Sequence, residues 1–560
     1  MAESVISVSA IKGKFEVSCP FNMVGHIRDL PGKRWSAKKK SYVIPFSRKA
    51  AEMMSHISAP IVFDSPAIEL MATAARPTPK QEPFPHWYRF KTTPMPHQQK
   101  ALNFLWGKDV GGLWMEMRTG KSKVALDYAC ALKMAGLIDH ILVFCPLSVR
   151  GSWEGQAIEH APIDITVARF DLTIAAGKKS QVKFSQDAAE MKMMVVGIES
   201  MSAGSALDYV YDYIKGNGRV FCVCDEGHYI KNPKATRTEK ITQLGAACSH
   251  RLILTGTPIA SNFLDLYSQM KFLDEDIIGY GDFYSYKARV AVMGGYEQKQ
   301  IISWQNVDEV MADIQPHVFQ VVAAEVADLP PKIYQVREVT LPSNVESLYK
   351  TIKKRSIISF KGRDLVLSTP LDRLLRLFQL ANGVMATGEG GEYQYEWVND
   401  SKVNELMALI ESAPTLPMVI WTTGRIELAQ VISRLKASGL KCVEMHGGIN
   451  ENDRIANVAA FQSGEVNYFV SNTAVGGTGI KLSRARCLVY MSSSFKYVDR
   501  IQSEARATDF LNIGESTLIV DIIAKGTVDE LVLEALQAKS DVATYVKDKI
   551  KSLGLSEGLK

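Results

Sequence analysis

A chain of 560 residues, 46% hydrophobic and 22% charged, has the composition of a globular protein with room for roughly three to four domains. No apolar run approaches the roughly 18 residues of a membrane helix, and the first residues lack a signal-peptide pattern, which argues against a membrane protein and predicts a cytoplasmic one. The net charge of +5 is uneven, because residues 1–60 hold ten Lys and Arg against four Asp and Glu. This segment favours an acidic partner such as nucleic acid, with a solvated basic face as the alternative.

The eight cysteines are scattered without the spacing of a zinc site. Cys222 and Cys224 alternate within a stretch that we predict to be a core strand. A reduced thiol packs there as a small apolar side chain. We therefore expect free thiols in a reducing environment.

Residues 1–60 predict a small α+β domain. Residues 14–18 and 41–45 alternate like strands, and residues 23–30 suit a short helix. Between them lies a basic turn around a tryptophan, and basic residues beside an exposed aromatic ring suit phosphate contact and base stacking. The alternative is that Trp35 is the core of the small domain. The candidate DNA-binding residues of this turn are Arg34, Trp35, Lys38, Lys39 and Lys40.

Eight prolines between residues 60 and 96 predict a semi-extended linker, which we place at residues 61–89. An amphipathic helix begins near Pro96. Gln98 follows at once, and its side-chain amide can offer a donor and an acceptor to the edge of an adenine. The alternative is that Gln98, or Gln99 beside it, is only a polar residue at a helix start.

Residues 114–122 read Trp-Met-Glu-Met-Arg-Thr-Gly-Lys-Ser and precede a helical stretch. A strand, a tight turn and a helix N-terminus form an anion cradle from backbone N–H groups and the helix dipole. In such a phosphate loop, Lys121 reaches the β- and γ-phosphates and Ser122 binds the metal ion. The strict pattern has glycine where this chain has Met115. The remaining ATP-binding candidates of the loop are Arg118, Thr119 and Gly120.

Residues 221–226, Phe-Cys-Val-Cys-Asp-Glu, predict a buried strand that ends in two adjacent acids. Ligands collect at the carboxyl ends of parallel strands. Asp225 is suited to hold Mg²⁺, usually through water, and Glu226 to polarise an attacking water. An acidic surface turn is the alternative for such a pair alone. Together with the phosphate loop, the pair predicts a site for ATP and Mg²⁺.

Further apolar runs end in polar turns, at residues 141–148, 193–198 and 251–258. Ser148 and Ser200 lie at the ends of the first two. Strands that alternate with helical segments predict a doubly wound parallel sheet, with every polar turn at the same edge.

The order of these motifs resembles the first lobe of superfamily-two helicase-like ATPases, in particular the Swi/Snf family of DNA translocases. Residues 254–273, which begin Leu-Thr-Gly-Thr-Pro-Ile, resemble that family's extended third motif. The motifs of the second lobe match at residues 417–422, 442–448, 469–482 and 502–506. The resemblance implies an α/β fold with two RecA-like parallel-sheet lobes and helical insertions, beside the small α+β domain.

The resemblance assigns Arg506 as an arginine finger that reaches the γ-phosphate from the second lobe, with Gln502 lining the same cleft. The glycine-rich turn of that lobe supplies two further ATP-binding candidates, Gly477 and Gly479. This chain departs from the family where a second arginine is usual, because Asp509 stands there. Either Arg506 suffices, or Arg500 or another base substitutes, or turnover is slow.

The resemblance also implies that DNA, duplex or branched, crosses the rim of the lobes without sequence preference. The rim candidates are Ser148, Ser200, His446 and Thr473. Residues 1–60, with their Arg-Trp pair, basic turn and following apolar strand, resemble the small accessory DNA-binding module of annealing helicases, the HARP domain. We expect a monomeric motor that uses ATP and Mg²⁺ and contacts no membrane.

The predicted domain order is residues 1–60, a linker at 61–89, the first lobe at 90–275, helical protrusions and a connector at 276–400, the second lobe at 401–530 and a brace helix at 531–560. The predicted function is ATP-dependent translocation on double-stranded DNA, with fork remodelling or strand annealing. One alternative is a strand-separating helicase or an RNA-dependent ATPase. Another is a DNA-binding scaffold with a decayed ATPase, prompted by Met115 and Asp509. The compact frame suggests a bacterial or viral source.

Overall fold

The chain divides into two compact units, Met1–Val326 and Ala327–Lys560. The computed structural model describes residues 5–537, except for 12–13, 29, 32, 75–81, 171–188, 203–205, 260–261, 296, 298–299, 322–331, 355–356, 361–362, 368, 389–392, 474–479, 481, 494–496 and 507–515. Each unit contains its own parallel sheet, and each is described by itself.

The first unit begins with a module of five strands and two helices, called here the amino-terminal module. Its strands are β1 (Ile6–Ile11), β2 (Lys14–Ser18), β3 (Arg34–Ser36), β4 (Ser41–Pro45) and β5 (Ile61–Phe63), and its helices are α1 (Arg48–Ser55) and α2 (Ser65–Ala74). The strand order is β3-β4-β2-β1-β5. Phe15, Ile27 and Ile44 are fully buried in its core. The predicted small α+β domain is therefore present, although residues 21–27 form a 3-10 helix rather than an α-helix.

The linker predicted from residue 61 begins later in the structure. Strand β5 pairs in parallel with β1, and Ala67 of α2 is buried in the module's core. Pro66 is compatible with this because the second residue of a helix has no partner for its N–H in any case. The module therefore extends to residue 74.

The first parallel sheet and its helices follow the module. The strands are β6 (Val110–Met115), β7 (His140–Cys145), β8 (Ile165–Arg169), β9 (Met191–Gly197), β10 (Val220–Asp225) and β11 (His250–Thr255). The helices are α3 (Pro96–Leu105), α4 (Lys121–Met134), α5 (Arg150–His160), α6 (Ala206–Gly216), α7 (Thr236–Ala246) and α8 (Asp265–Leu273). Strand β10 is buried along its whole length, as its unbroken apolar sequence predicts.

An extension follows α8 before the chain returns to this sheet. It contains α9 (Phe283–Val290), the hairpin of β12 (Ala291–Gly294) and β13 (Gln300–Trp304), and α10 (Val307–Ile314). Strand β14 (Val318–Val321) then pairs with β6, so the full order is β14-β6-β11-β10-β7-β9-β8, with every strand parallel. The predicted end of the first lobe at residue 275 is therefore too early.

The second unit begins with β15 (Lys332–Val339), an edge strand. The segment up to residue 400 adds α11 (Ser343–Lys354), the hairpin of β16 (Ile357–Phe360) and β17 (Arg363–Val366), α12 (Pro370–Ala381), and the hairpin of β18 (Val384–Thr387) and β19 (Gln394–Trp397). The segment predicted as helical protrusions thus also contributes one strand to each parallel sheet.

The remaining helices and strands complete the second sheet. The helices are α13 (Ser401–Ser412), α14 (Arg425–Ala437), α15 (Glu451–Ser463), α16 (Tyr497–Ala505) and α17 (Val528–Gln537). The strands are β20 (Met418–Thr422), β21 (Cys442–Met445), β22 (Tyr468–Asn472), β23 (Cys487–Tyr490) and β24 (Thr517–Ala524). The order is β15-β24-β23-β20-β22-β21, and all pairs are parallel. This confirms the predicted α/β fold with two parallel-sheet lobes.

All eight cysteines are free thiols, six of them buried, which confirms the prediction of unpaired cysteines. Among the described residues, no helix is long and apolar enough to cross a membrane. The predicted brace helix at 531–560 corresponds to α17 up to residue 537, and its remainder lies outside the described residues.

Candidate active site

The predicted phosphate loop lies between β6 and α4 in the first unit. Gly120 caps helix α4 with φ +83°, a left-handed conformation in which a side chain is strained. A Cβ at this position would also collide with the side chain of Gln98. Arg118 is left-handed as well, with φ +65°. Two left-handed residues turn the chain sharply from the strand into a helix of 14 residues, whose first N–H groups are available to an anion.

Lys121 lies at the first position of helix α4 and is 9% exposed. Its Nζ donates to the backbone oxygens of Met115, at 2.8 Å, and Glu116, at 3.2 Å. The ammonium group is thus held against its own loop, at the helix N-terminus. Ser122 follows it and is half-buried. This arrangement suits the binding of phosphate oxygens.

Two side chains of helix α3 hold the loop from the other side. His97 Nε2 lies 2.8 Å from the backbone oxygen of Thr119, and Gln98 Nε2 donates to the same oxygen at 3.1 Å. Gln98 Oε1 accepts from the backbone N–H of Met95 at 2.9 Å. The amide predicted to recognise adenine is therefore adjacent to the phosphate loop and joins it to the start of α3. His97 was not predicted to take part.

Asp225 ends strand β10 and is 7% exposed. Its Oδ1 accepts from the backbone N–H of Glu226 at 3.0 Å, and its Oδ2 accepts from Trp153 Nε1 at 3.2 Å. Burial and the charge of Glu226 raise the pKa of Asp225 to about 7, and the charge of Lys121 lowers it. Lys121 thus lies close enough to Asp225 for its charge to act on the carboxyl group, and Lys121 comes after one parallel strand while Asp225 ends another, at one edge of the same sheet.

Glu226 adopts φ +53°, which is rare for a residue with a side chain and is characteristic of functional turns. Its Oε2 lies 3.3 Å from His228 Nδ1. Gly227 between them approaches β11 closely, because an added Cβ would lie 2.5 Å from Ile253 Cγ1. The backbone after the strand is thus fixed by a glycine, and the Glu226 carboxylate lies beside the His228 ring.

The turn after β11 packs on the phosphate loop. A Cβ at Gly256 would lie 3.3 Å from the backbone nitrogen of Met117 and 3.4 Å from the backbone oxygen of Met115. Gln269, fully buried on α8, donates to the backbone oxygen of Pro258 at 2.6 Å. The motif that begins at residue 254 therefore supports the loop directly. The sequence marked this motif without showing these contacts.

Two of the predicted DNA-contact positions lie close together in the first unit. Ser148 belongs to a 3-10 helix after β7, and Ser200 belongs to another after β9. A Cβ at Gly197 would collide with Leu147 and would lie 3.2 Å from Ser200 Oγ. The backbone N–H of Leu147 donates to Glu199 Oε2 at 3.1 Å. The two turns form one edge, as their positions in parallel strands predict.

In the second unit, helix α16 carries Gln502, which is buried, and ends just before the half-buried Arg506. Arg506 Nη1 donates to the backbone oxygen of Ile480 at 3.4 Å, and its backbone oxygen accepts from the N–H of Leu482 at 3.1 Å. The end of α16 therefore contacts the chain directly after the glycine-rich turn. Gly477 and Gly479 lie outside the described residues, as does Asp509.

Arg500 does not act as a second exposed arginine. It is 7% exposed, and its guanidinium donates to both oxygens of Asp521, at 2.6 and 2.9 Å, and to Glu504 Oε1 at 2.6 Å. Its donors are occupied by buried carboxylates, so the alternative in which Arg500 substitutes for the missing arginine disagrees with the structure.

The other two predicted DNA-contact positions end neighbouring strands of the second sheet. His446 follows β21 and accepts from the backbone N–H of Gly448 at Nδ1, over 3.0 Å. Thr473 follows β22 and is only 4% exposed. Strands β21 and β22 pair in parallel, so both positions lie at one edge. The buried side chain of Thr473 offers little contact area.

The basic turn of the amino-terminal module is partly engaged within the first unit. Arg34 donates to Asp282 Oδ2 at 2.9 Å, and Lys39 pairs with Glu16. Trp35 is 55% exposed, which excludes its being the core of the module. Its ring meets that of Tyr42 edge-on, 4.8 Å between centroids. The exposed residues of the turn are Arg34, Trp35, Lys38, Lys39 and Lys40.

The residues of the first unit fit a nucleotide with a magnesium ion. A helix N-terminus with a lysine at its first position suits phosphates, and the half-buried Ser122 hydroxyl suits a metal ligand. Burial and the neighbouring charge of Glu226 raise the pKa of Asp225, and a divalent cation at this carboxylate would lower it. Among the described residues, no group of three or more His, Cys, Asp or Glu forms a metal centre.

Two family models match the chain. The SNF2-related domain matches residues 50–384, and the helicase conserved C-terminal domain matches residues 401–510. Together, the two parallel-sheet lobes and these two matched domains place the chain in the helicase-like class. Because the first model covers more than half of the chain, the protein belongs to the SNF2-related family.

Several curated proteins are similar to this chain. The CHD3-type chromatin-remodeling factor PICKLE of Arabidopsis thaliana is 24% identical over 82% of this chain and 35% of its own length. A homolog from Caenorhabditis elegans of SWI/SNF-related matrix-associated actin-dependent regulator of chromatin subfamily A-like protein 1 is 23% identical over 80% of this chain and 61% of its own. The TATA-binding protein-associated factor MOT1 of Saccharomyces cerevisiae is 22% identical over 73% of this chain and 24% of its own length. The chain spans less than two thirds of each.

A solved structure, the Sulfolobus solfataricus SWI2/SNF2 ATPase core in complex with dsDNA, is 22% identical. The match covers 84% of this chain and 95% of that chain, with a TM-score of 0.37.

Proposed function

We propose that the protein is an ATP-dependent translocase on double-stranded DNA. The observation that carries the proposal is the placement, at one edge of the first sheet, of Lys121 in the phosphate loop after β6 and of Asp225 at the end of β10, close enough for the Lys121 charge to lower the pKa of Asp225, within a chain of the SNF2-related family. These are the two groups that a bound ATP–Mg²⁺ requires, one for phosphate and one for the metal ion.

The first unit supplies the ATP-binding residues. Lys121 and the N–H groups of helix α4 hold the phosphates, Ser122 and Asp225 hold the metal ion, and Glu226 orients and polarises the attacking water. The ion supplies charge neutralisation at the phosphates. Gln98 lies beside the loop, and the nucleotide base is expected there.

The second unit supplies the positive charge that stabilises the γ-phosphate. Arg506 at the end of α16 stabilises negative charge on the γ-phosphate, and Gln502 on the same helix lines the nucleotide cleft. The stabilising arginine and the phosphate loop thus belong to different units of the chain.

The DNA path follows the carboxyl edges of the two sheets. Ser148 and Ser200 mark this edge in the first unit, and His446 and Thr473 mark it in the second. Contacts there reach phosphates and sugars, which carry no base identity, so binding is sequence-tolerant and weakens steeply with salt.

The amino-terminal module adds a second DNA-binding surface. Its half-exposed Trp35 lies among exposed lysines, as stacking and phosphate contact require. The resemblance of this turn to the module of annealing helicases supports action on branched DNA, such as fork remodelling or strand annealing.

The test is the rate of ATP hydrolysis with duplex, single-stranded and forked DNA and with RNA. Strongest stimulation by duplex or forked DNA supports the proposal. Strongest stimulation by RNA, or strand separation on a plain duplex with an overhang, supports the other motor activities instead. A turnover below about one per minute with every nucleic acid, against an ordinary kcat of about 1–10³ per second, indicates a scaffold.

A further inference from the structure

Helix α16 is held in the second unit by a cluster of buried charges. Arg500, near the start of this helix, donates two hydrogen bonds of 2.6 and 2.9 Å to the carboxylate of Asp521 on strand β24. The guanidinium also lies over the ring of Tyr490, 3.6 Å from its centroid. One turn further along, Glu504 accepts from Arg500 Nε at 2.6 Å. The helix that carries Gln502 and Arg506 is thus fixed to the sheet by ionic contacts.

The second carboxylate oxygen of Glu504 is bound by the first residues of the second unit's edge strand. Lys332 Nζ and the hydroxyl of Tyr334 each donate to Glu504 Oε2 at 2.9 Å. Glu504 is 5% exposed, whereas the Lys332 side chain is 32% exposed. Burial alone would raise the pKa of Glu504, but Lys332 and Arg500 outweigh it, and the pKa lies below its ordinary value. Lys332 is therefore one of two cations that neutralise this carboxylate.

Lys332 is also the first described residue after the segment that joins the two units. On the other side of that segment, Val321 ends strand β14, and its backbone oxygen accepts from the N–H of Glu116 at 3.0 Å. Glu116 begins the phosphate loop. The described residues on either side of 322–331 thus contact the phosphate loop, at Val321, and helix α16, at Lys332.

We infer that Lys332 is a positioning residue for Arg506, acting through Glu504. The inference rests on the proposed function for its consequence, because Arg506 matters only if the protein hydrolyses ATP. The contact itself is independent of that function. A long lysine side chain at a strand end is suited to the role, since it can hold or release a helix without disturbing the core.

The test compares Lys332→Met with Lys332→Arg and with a matched control. Lys525 follows strand β24 and pairs with Glu338 at the far end of β15, over 3.2 Å, with both side chains more than half exposed. Lys525→Met therefore removes an ion pair from the same strand pair without touching α16.

Lys332→Met should lower kcat for DNA-stimulated hydrolysis about tenfold or more with an unchanged KM for ATP, because misplacing a catalytic group costs rate rather than ground-state binding. Lys332→Arg should retain most of the rate, and Lys525→Met all of it.

A second readout needs no activity. Hydrogen exchange of the backbone amides in residues 497–505 should be faster in Lys332→Met than in the parent or in Lys525→Met, measured on the full chain. Equal exchange in the two methionine variants overturns the inference, as does an unchanged kcat in Lys332→Met. A parent chain that hydrolyses no ATP with any nucleic acid overturns the proposed function instead, and the exchange comparison still decides whether Lys332 holds the helix.

Discussion

Lys49 of helix α1 donates to both carboxylate oxygens of Asp313 on α10, at 2.9 and 2.7 Å, and lies 3.5 Å from Glu309 on the same helix. Two residues earlier, the buried Ser47 hydroxyl donates to the backbone oxygen of Gly279 at 2.9 Å. Gly279 has φ +69°, and an added Cβ there would collide with the Lys49 side chain. The amino-terminal module is thus built onto the extension that follows α8.

Replacing Lys49 by methionine should loosen the module. The side chain is 15% exposed, and its loss leaves Asp313 without its cation, at a cost of about 1–3 kcal/mol in the free energy of unfolding. Chemical denaturation and hydrogen exchange of α1 measure the effect. Arg34→Ala is the control, because it breaks an exposed ion pair to Asp282 that contributes about 0–1 kcal/mol. If both variants behave alike, Lys49 does not hold the module.

Lys121→Ala and Glu226→Gln should each abolish turnover and leave DNA binding largely intact. The first removes the cation of the phosphate loop and the second removes the group that polarises water, so each should lower kcat about 100-fold or more. Rates of ATP hydrolysis and DNA affinity are measured side by side. Lys133→Ala, in the last turn of the same helix α4, is the matched control and should keep its rate. Retained hydrolysis in both active-site variants would refute the assignment.

Trp35→Ala should weaken binding of forked and single-stranded DNA about tenfold, because one stacked base is lost. The ring is 55% exposed, so the thermal stability of the protein should hardly change. Fluorescence anisotropy with labelled DNA measures the affinity. Phe21→Ala removes another exposed aromatic side chain of the module, 97% exposed and outside the basic turn, and should leave the affinity unchanged. Equal losses in the two variants would argue against stacking at Trp35.

Glu427→Gln should stabilise the second unit at pH 8 more than at pH 6. Glu427 Oε2 accepts from Ser492 Oγ at 2.6 Å, and burial raises the pKa of the Glu427 carboxyl from 4.5 to about 7. Between these values the folded chain holds a proton that the unfolded chain has released, so stability falls as pH rises through this window. A neutral amide avoids the cost of ionising a buried carboxyl group, so above pH 7 the substitution should raise the free energy of unfolding by about 1–3 kcal/mol.

Thermal unfolding of the parent and the variant at both pH values measures this difference. Glu411→Gln, on the exposed surface of α13, controls for the loss of one negative charge. A stabilisation of equal size at pH 6 and pH 8 would contradict a raised pKa at Glu427.

The sequence predicted the central strands of both sheets well, because strands buried on both faces are continuous apolar runs. Strand β10 is such a run and is fully buried. Strands β14 and β15 were not predicted, because both fall within the segment predicted as helical protrusions. Strand β14 has four residues, and β15 exposes most of its side chains as an edge strand, so neither produces a strong apolar signal. Their assignment depends on pairing with remote strands.

The residues of the candidate site likewise fall into those that the sequence could predict and those that it could not. Lys121 and Asp225 could be predicted because each belongs to a local motif with a chemical reason for its spacing. Trp153 and His97 could not, because their contacts with Asp225 and Thr119 join segments that are far apart in sequence. The basic turn was predicted, but its composition could not show that Arg34 and Lys39 have acidic neighbours at Asp282 and Glu16.

The distribution of the thiols allows each of the two units to be labelled separately. Six cysteines are buried, and the two that are partly exposed belong to different units, Cys19 to the first and Cys442 to the second. Burial also raises the pKa of both thiols, so labelling them calls for mildly alkaline buffer. A different dye on each of these two native positions would therefore label each unit once, with no cysteine added or removed.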